Sequence, residues 1–380
     1  MRKTAISRLA ALALAGALAL TACSGSSQPS QETSVYDGTN MEALIAAAQA
    51  EGEVVAYWAS SRIEGAGKAF EAKYGIKVTG TKLSDTESTE RILREVDSKN
   101  VLADVVGTPD GARLANDLIP NGYVENYIPT TGSDVMDPAF KDPMIYAFDI
   151  NLWGYNTESY PNGCPITNIW QLTEPEWKGN LHMLDPKLRA MTVAWMVEIE
   201  KHSDQLAAAY QELKGAPIEL TEANAGLEFI KRLAQNEPIL HNGDEEIAAA
   251  IGTRGQEKPP VGQYSLSRHR DNEKLDHALG FCDFTPIPAY SNPVYMGIIS
   301  GAKHPNAARL LFEFLMTQEG MDAWVNDPGW YSVVPGITVA DSNPFPSLEA
   351  WGDRTVPLTD IKTTNERRGP ILDLWTKANG

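Results

Sequence analysis

Short β-rich runs alternate with helical stretches through the first third of the chain, and this alternation restricts the fold more than any other feature. Met41 to Ala50 is an Ala-rich helical pattern, and Val54-Val55-Ala56-Tyr57-Trp58 reads as a strand. Ile63 to Lys73 reads as a helix stopped by Gly75, and Ile76-Lys77-Val78 opens the next strand. Ser84-Asp85-Thr86-Glu87 has capping-box spacing, with a hydroxyl at the cap and a carboxylate three residues on, and starts a helix through about Val96. Ala103-Asp104-Val105-Val106 is a further strand, and Thr108-Pro109-Asp110 reads as a cap followed by proline at the first helical position. Strands alternating with helices of about ten residues predict an α/β chain with a mostly parallel, doubly wound sheet.

The rest of the chain continues the theme with more helix. Tyr146 to Tyr155 is a long apolar and aromatic strand candidate. Helical patterns follow at Met191–His202, Gln205–Lys214, Glu222–Gln235 and Asp244–Ile251, and strand-like runs at Gly262–Leu266, Leu279–Ile287 and Val294–Ser300. His304 to Met316 carries Ala308, Leu311, Phe312 and Leu315 on one helical face, and a last helix is expected over Gly369–Ala378 with Ile371, Leu372 and Trp375 at core spacing.

The amino terminus speaks about location. Arg2, Lys3 and Arg8 precede an apolar run from Leu9 to Leu20, too short to span a bilayer comfortably and laid out like a signal peptide. Leu20-Thr21-Ala22-Cys23 resembles a bacterial lipobox, which implies cleavage before Cys23 and lipid attachment to its sulfur. An ordinary secretory signal with a chance cysteine is the alternative. Residues 1–23 are therefore read as a lipoprotein signal peptide. Residues 24–37 are read as a flexible linker, since Ser24 to Ser34 holds no large apolar residue and cannot bury enough surface to become ordered.

Roughly 345 residues remain, enough for two cores. The formal charge of −18 argues against a nucleic-acid partner, which needs clustered Lys and Arg, and says little about any pocket. With Cys23 lipidated, Cys164 and Cys282 are left as an even pair in an oxidising compartment. A disulfide between them is expected, with two buried free thiols as the other reading. The spacing excludes a zinc knuckle and a redox C-x-x-C pair.

Several phrases resemble those of bacterial ABC-importer solute-binding proteins, in the branch typified by ferric-ion-binding proteins. They run from about Glu53 to Asn379. Phe70-Glu71-Ala72-Lys73-Tyr74-Gly75-Ile76-Lys77-Val78 resembles F-E-x-x-Y-G-I-x-V, and Ala103-Asp104-Val105 the "ADV" strand. Trp153-Gly154-Tyr155-Asn156-Thr157 resembles the crossing strand that ends in Y-N-T, and Trp177-Lys178-Gly179-Asn180 with Asp185-Pro186 the K-G…D-P phrase. Ser300 to Ala308 and Gln318-Glu319-Gly320 resemble K-G-A-x-H-P-x-A-A and the S-x-E-G that follows it. The resemblance implies two doubly wound α/β lobes joined by two hinge strands, with a ligand cleft between them. Lobe one is expected at 38–150 plus 286–380 and lobe two at 151–285, with hinges near Phe148–Leu152 and Phe284–Pro286. It also implies an exported monomer without cofactor, lipid-anchored to the membrane and serving ABC permease subunits with a small-molecule ligand.

In an open α/β sheet, ligands sit beyond the carboxyl ends of strands, where helix N-termini present free N–H groups. Four such ends can be found. Trp58-Ala59-Ser60-Ser61-Arg62 offers an aromatic wall, the Ser60 and Ser61 hydroxyls and the Arg62 guanidinium. Ser84 to Ser88 offers Thr86, Glu87 and Ser88; Thr108-Pro109-Asp110-Gly111 offers Thr108 and Asp110; Pro186 to Thr192 offers Lys187, Arg189 and Thr192. Each is also readable as a plain helix cap, yet together they describe a cleft able to grip an anion. Tyr290, Asn292 and Tyr295 follow the return hinge and join the candidates, core packing being the alternative for Tyr295.

The ferric branch carries two adjacent tyrosines before that hinge, whereas Gly262-Gln263-Tyr264-Ser265-Leu266 has one. A phosphate or phosphonate ester is therefore the favoured ligand. Ferric iron or a ferric complex, held by Tyr264 and Glu87, is the alternative; a cation such as thiamine or a polyamine, held against Trp58, is a third. Enzyme signatures fail. Gly65-Ala66-Gly67-Lys68 lacks the last glycine of one phosphate loop and the first of the other, and neither a G-x-S-x-G elbow nor an H-E-x-x-H helix occurs. A surface hydrolase survives only because carboxylates are plentiful.

Overall fold

The computed structural model describes residues 40–380; the expected signal segment 1–23 with Cys23, and the linker 24–37, lie outside the described residues. Twelve strands form one sheet: β1 (Glu53–Trp58), β2 (Lys77–Lys82), β3 (Val105–Thr108), β4 (Val124–Glu125), β5 (Ile145–Asn156), β6 (Leu181–Leu184), β7 (Ile239–His241), β8 (Val261–Ser265), β9 (Leu279–Phe281), β10 (Ala289–Ile299), β11 (Trp330–Ser332) and β12 (Thr355–Pro357). The order is β2-β1-β3-β10-β5-β8-β6-β7, with β4 and β12 beside β10 and with β9 and β11 beside β5. β1 runs parallel to β2 and β3, and β6 parallel to β7 and β8, as the alternation with helices requires. The long strands β5 and β10 lie antiparallel in the middle and join these two halves.

Two apolar cores flank that join. The first gathers Trp58, Phe70, Ile92, Tyr146, Phe148, Val294, Leu311 and Trp324; the second gathers Ile150, Trp153, Trp170, Trp195, Phe229, Tyr264, Tyr290 and Trp375. β5 leaves the first core at Phe148 and enters the second at Ile150, while β10 crosses back between Tyr290 and Val294. At the crossing the apolar run is broken by a polar pair in register, Asp149 opposite Asn292, with Ser291 beside it opposite Ile150.

Local rules explain most elements. Ser84 and Glu87 close a reciprocal capping box on helix Asp85–Asp97, and Gly75 ends helix Arg62–Tyr74 in the left-handed region. Gly65 to Lys68 lie inside that helix, where Gly67 lets the backbone approach Val78, so no phosphate loop forms.

Four expectations need correction. Asp110, not Thr108, caps the helix starting at Gly111, accepting the Arg113 N–H at 3.0 Å, and the Thr108 hydroxyl instead accepts the Asp110 N–H at 3.1 Å. The strand expected to reach Ile287 stops at Phe281, before a segment containing Pro286, which has no N–H for a ladder. The last helix begins at Ile361, capped by Asp360, and runs through Pro370, because Ile371 and Trp375 lock it onto the second core. The return crossing lies at 290–294 rather than near 284–286, and Trp351, Ile371 and Trp375 pack with the second core although the whole of 286–380 was expected in lobe one.

Cys164 and Cys282 are joined by a disulfide closing a separation of 118 residues, with a Cα–Cα distance of 5.1 Å. Replacing both by serine should cost roughly 2–5 kcal/mol, by relaxing a long loop constraint in the unfolded chain. Urea unfolding of the double variant checks this; an unchanged midpoint would refute it.

Candidate functional site

Between the two cores lies a cavity of about 230 Å³ at the carboxyl ends of six strands. Ala59 to Arg62 follow β1, Lys82 ends β2, Pro109 follows β3, Leu184 and Arg189 end and follow β6, Gly243 to Glu245 follow β7, and Ser265 to Arg270 end and follow β8. Strand ends collect ligands because the helices that follow them aim N–H groups there. The crossing strands floor the cavity with Asp149, Asn151 and Asn292.

Cations dominate the walls. Arg62, Lys82, Arg189, Arg268 and Arg270 face Asp149, Asp244, Glu245 and Asp327. The Asp327 carboxylate accepts from Arg62 at 2.8 Å and from Arg270 at 3.0 Å. Arg268 meets Asp244 at 3.3 Å and Glu245 at 3.1 Å, and Lys82 meets Glu245 at 2.9 Å. Although burial opposes its charge, Arg268 and Lys82 hold Glu245 down to about 2. Burial pushes Arg270 below its ordinary value, and the neighbouring Arg62 and Arg268 push it further. Guanidiniums gathered in this way can bond an anion with their planar forks.

Aromatic rings close the sides. Trp58 is buried and donates its indole N–H to the Tyr146 hydroxyl at 3.0 Å, and the Arg62 guanidinium lies 5.2 Å from the centre of the Trp330 ring. Asp149 accepts the Ser265 hydroxyl at 2.7 Å and the Asn151 amide at 3.1 Å. Burial nevertheless raises it to about 7, with Asp244 adding to the rise.

Several contacts tie one side of the cavity to the other. Asp85, at the start of helix Asp85–Asp97, accepts the backbone N–H of Ala190 at 3.0 Å and so caps helix Ala190–Lys201 from across the cleft. Arg368 of the last helix donates to both oxygens of Asp110. The Thr86 hydroxyl reaches the Lys187 carbonyl at 3.5 Å.

Of the residues expected from sequence, Trp58, Ser60, Ser61, Arg62, Arg189 and Asn292 line the cavity, and the others do not. Glu87 is spent in its capping box, and the Ser88 hydroxyl bonds the Asp85 carbonyl. Thr86 and Lys187 are exposed at the rim, while Thr108 and Asp110 serve the cap below. Thr192 is buried with no partner for its hydroxyl. Tyr264 lies in the second core over Gly154, where a Cβ would collide with its ring, and its hydroxyl donates to the Gly280 carbonyl at 3.2 Å. Tyr295 is wedged against Gly111, and Tyr290 is buried beside Trp195. Burial raises all three phenols. Tyr264 and Glu87 therefore do not meet as iron ligands, and among the described residues no group of three or more His, Cys, Asp or Glu is placed to hold a metal.

Sequence reasoning missed Lys82, Asp149, Asp244, Glu245, Arg268, Arg270, Asp327 and Trp330. The run Ser267-Arg268-His269-Arg270 directly after a strand carried the signal for two of them, by the same strand-end rule.

Residues 55–329 match the model of a family described as bacterial extracellular solute-binding protein. No curated protein matches the chain. Among solved structures, the periplasmic binding protein AfuA from Actinobacillus pleuropneumoniae with exogenous fructose-6-phosphate bound is 19% identical, with a TM-score of 0.65 over 86% of this chain and 98% of that one. Iron-bound HitA from Pseudomonas aeruginosa is 18% identical, TM-score 0.63, over 86% and 99%. The periplasmic binding protein P5PA is 16% identical, TM-score 0.64, over 87% and 100%. At these identities the likeness establishes the two-lobed fold.

The state of Asp149 has a measurable consequence. Its folded value of about 7 lies above the ordinary 3.8, so the folded chain holds a proton that the unfolded chain releases between those values. That contribution to stability is fully present below about 3.8 and is lost as pH rises toward 7. Asp149→Asn should therefore gain melting temperature relative to the parent between pH 5 and pH 8; a difference flat with pH would refute the assignment.

Proposed function

The chain belongs to the family of bacterial extracellular solute-binding proteins, and on that premise we propose that it is the lipid-anchored receptor of an ABC importer, taking up a small anionic solute of the phosphate or phosphonate ester class. The observation that carries the ligand class is the convergence of Arg62, Arg189, Arg268 and Arg270, from both sides of the cleft, on one small cavity with the Ser60, Ser61, Ser265 and Ser267 hydroxyls. Phosphoryl oxygens match guanidinium forks and hydroxyl donors, and a cavity of about 230 Å³ has room for roughly eight waters, which suits a small solute. The sugar phosphate bound by AfuA supports the same class.

Iron is bound by HitA, which shares the fold. Here the cleft lacks a tyrosine pair, and the buried phenols of Tyr264, Tyr290 and Tyr295 are held protonated. Fe(III) favours hard phenolate and carboxylate oxygens, and these phenols are not free to supply theirs.

The proposed mechanism is hinge closure about β5 and β10. A ligand touching both lobes stabilises the closed arrangement, in which Lys82–Glu245 and Arg270–Asp327 also meet, and the importer's membrane subunits read that arrangement. Cys23 supplies the anchor at the outer face of the cytoplasmic membrane, and the receptor acts as a monomer without cofactor or catalysis.

Two experiments test this reading. Isothermal titration should detect sugar phosphates or glycerol phosphates, and Arg189→Ala should weaken binding by about tenfold or more, as expected for loss of charge-assisted hydrogen bonds. Binding of ferric citrate with a visible tyrosinate-to-iron band, and of no ester, would overturn the ligand class. Separately, Cys23→Ala should move the chain from the membrane fraction to the soluble exported fraction; unchanged fractionation would overturn the anchor.

A further inference from the structure

The charges lining the cavity can be matched one against another, and two are left over. Asp327 answers Arg62 and Arg270, Glu245 answers Lys82, and Asp244 with Glu245 answers Arg268. Among the described residues, no carboxylate lies within ion-pairing distance of Arg189 and no cation within that distance of Asp149. Arg189 also keeps a buried Nε without a partner. Asp85, a carboxylate that feels it, is already accepting the Ala190 N–H and is pushed toward its neutral form by burial. Asp149 has two donors, Ser265 and Asn151, where a carboxylate offers about four acceptor sites.

Resting on the reading of the cleft as an anion site, we propose that the solute is a zwitterion, an ω-amino phosphate or phosphonate whose anionic group is held by Arg189 and whose ammonium docks on Asp149. Three further observations fit. Asp244 faces Asp149 from β7's end, so two carboxylates share that side of the cavity; Arg62 acts on Asp149 from beyond ion-pairing distance, and Asp244 already meets Arg268. Trp58, Tyr146 and Trp330 wall the cavity, and aromatic faces attract ammonium groups. The buried Tyr290 hydroxyl has no partner and feels both Asp149 and Arg189. Burying a carboxylate without a counter-ion is costly, and its rise to about 7 records that cost; an arriving ammonium would remove it.

Three ligands of matched size separate the alternatives: ethyl phosphate, 2-hydroxyethyl phosphate and 2-aminoethyl phosphate, titrated into the purified chain. The amine should bind about tenfold tighter than the alcohol, or better, the advantage of a charge-assisted over a neutral hydrogen bond. Asp149→Asn should collapse that ratio to within about threefold, whereas Arg189→Ala should weaken all three and keep the ratio. Equal binding of amine and alcohol would overturn the ammonium subsite and leave the anion cleft standing. Failure of all three to bind would overturn both. The comparison on the parent chain needs no variant to fold, and thermal unfolding of each variant confirms that it has done so.

Discussion

The structure turns on one break in an apolar pattern. β5 and β10 are buried along nearly their whole length, and each must pass from one core to the other. At the passage Asp149 stands opposite Asn292. A polar pair at that point cannot belong to either core, so the cores end there and the cleft begins. The same pair then becomes the cavity floor, so the crossing between the cores and the candidate cleft are built from the same residues. Ser265, which ends β8, bonds Asp149 and ties the second lobe's strand end to that floor.

Around this floor the chain does locally what its composition denies globally. A formal charge of −18 is a property of the far field, while one small cavity is lined by four arginines and a lysine together with four carboxylates. Arginine suits that task because its planar fork stays charged when buried and bonds two oxygens at once. At Asp327 the sharing runs the other way, one carboxylate oxygen accepting from both Arg62 and Arg270 on opposite sides of the cleft.

Much of this was legible in the residues, and the misses have physical causes. Capping chemistry is local, so Ser84 and Glu87 announced their helix, and the strand-end rule reached Trp58, Ser60, Ser61, Arg62 and Arg189. Tyrosines in β8 and β10 were harder, because a strand buried on both faces has no alternation to show which side meets the cleft. Tyr264 and Tyr295 fell into the packed interior, while Asn292 faced the cavity. Asp327 and Trp330 lie in no motif; they reach the site only because β11 pairs with β5. Pro370 misled the reading of the last helix, since proline more often begins a helix than sits within one, and here the burial of Ile371 and Trp375 outweighs its missing N–H.

The ion pairs that cross the cleft are too weak to shut it alone. Lys82 and Glu245 are each 44% exposed, and pairs in that setting contribute roughly 0–1 kcal/mol. Arg270 and Asp327 are better buried, but Asp327 is shared with Arg62 on its own side of the cleft, so it keeps a partner if the lobes part. The groups left for a ligand to answer are those without a counter-ion, Arg189, and Asp149 with its Ser265 and Asn151 donors alone. A ligand shifts a two-state equilibrium only by its difference in affinity for the two states. Arg189 follows β6 and Asp149 is tied to β8 through Ser265, so a solute that satisfies both favours closure only through what it also touches on the first lobe, Ser60, Ser61 and Arg62.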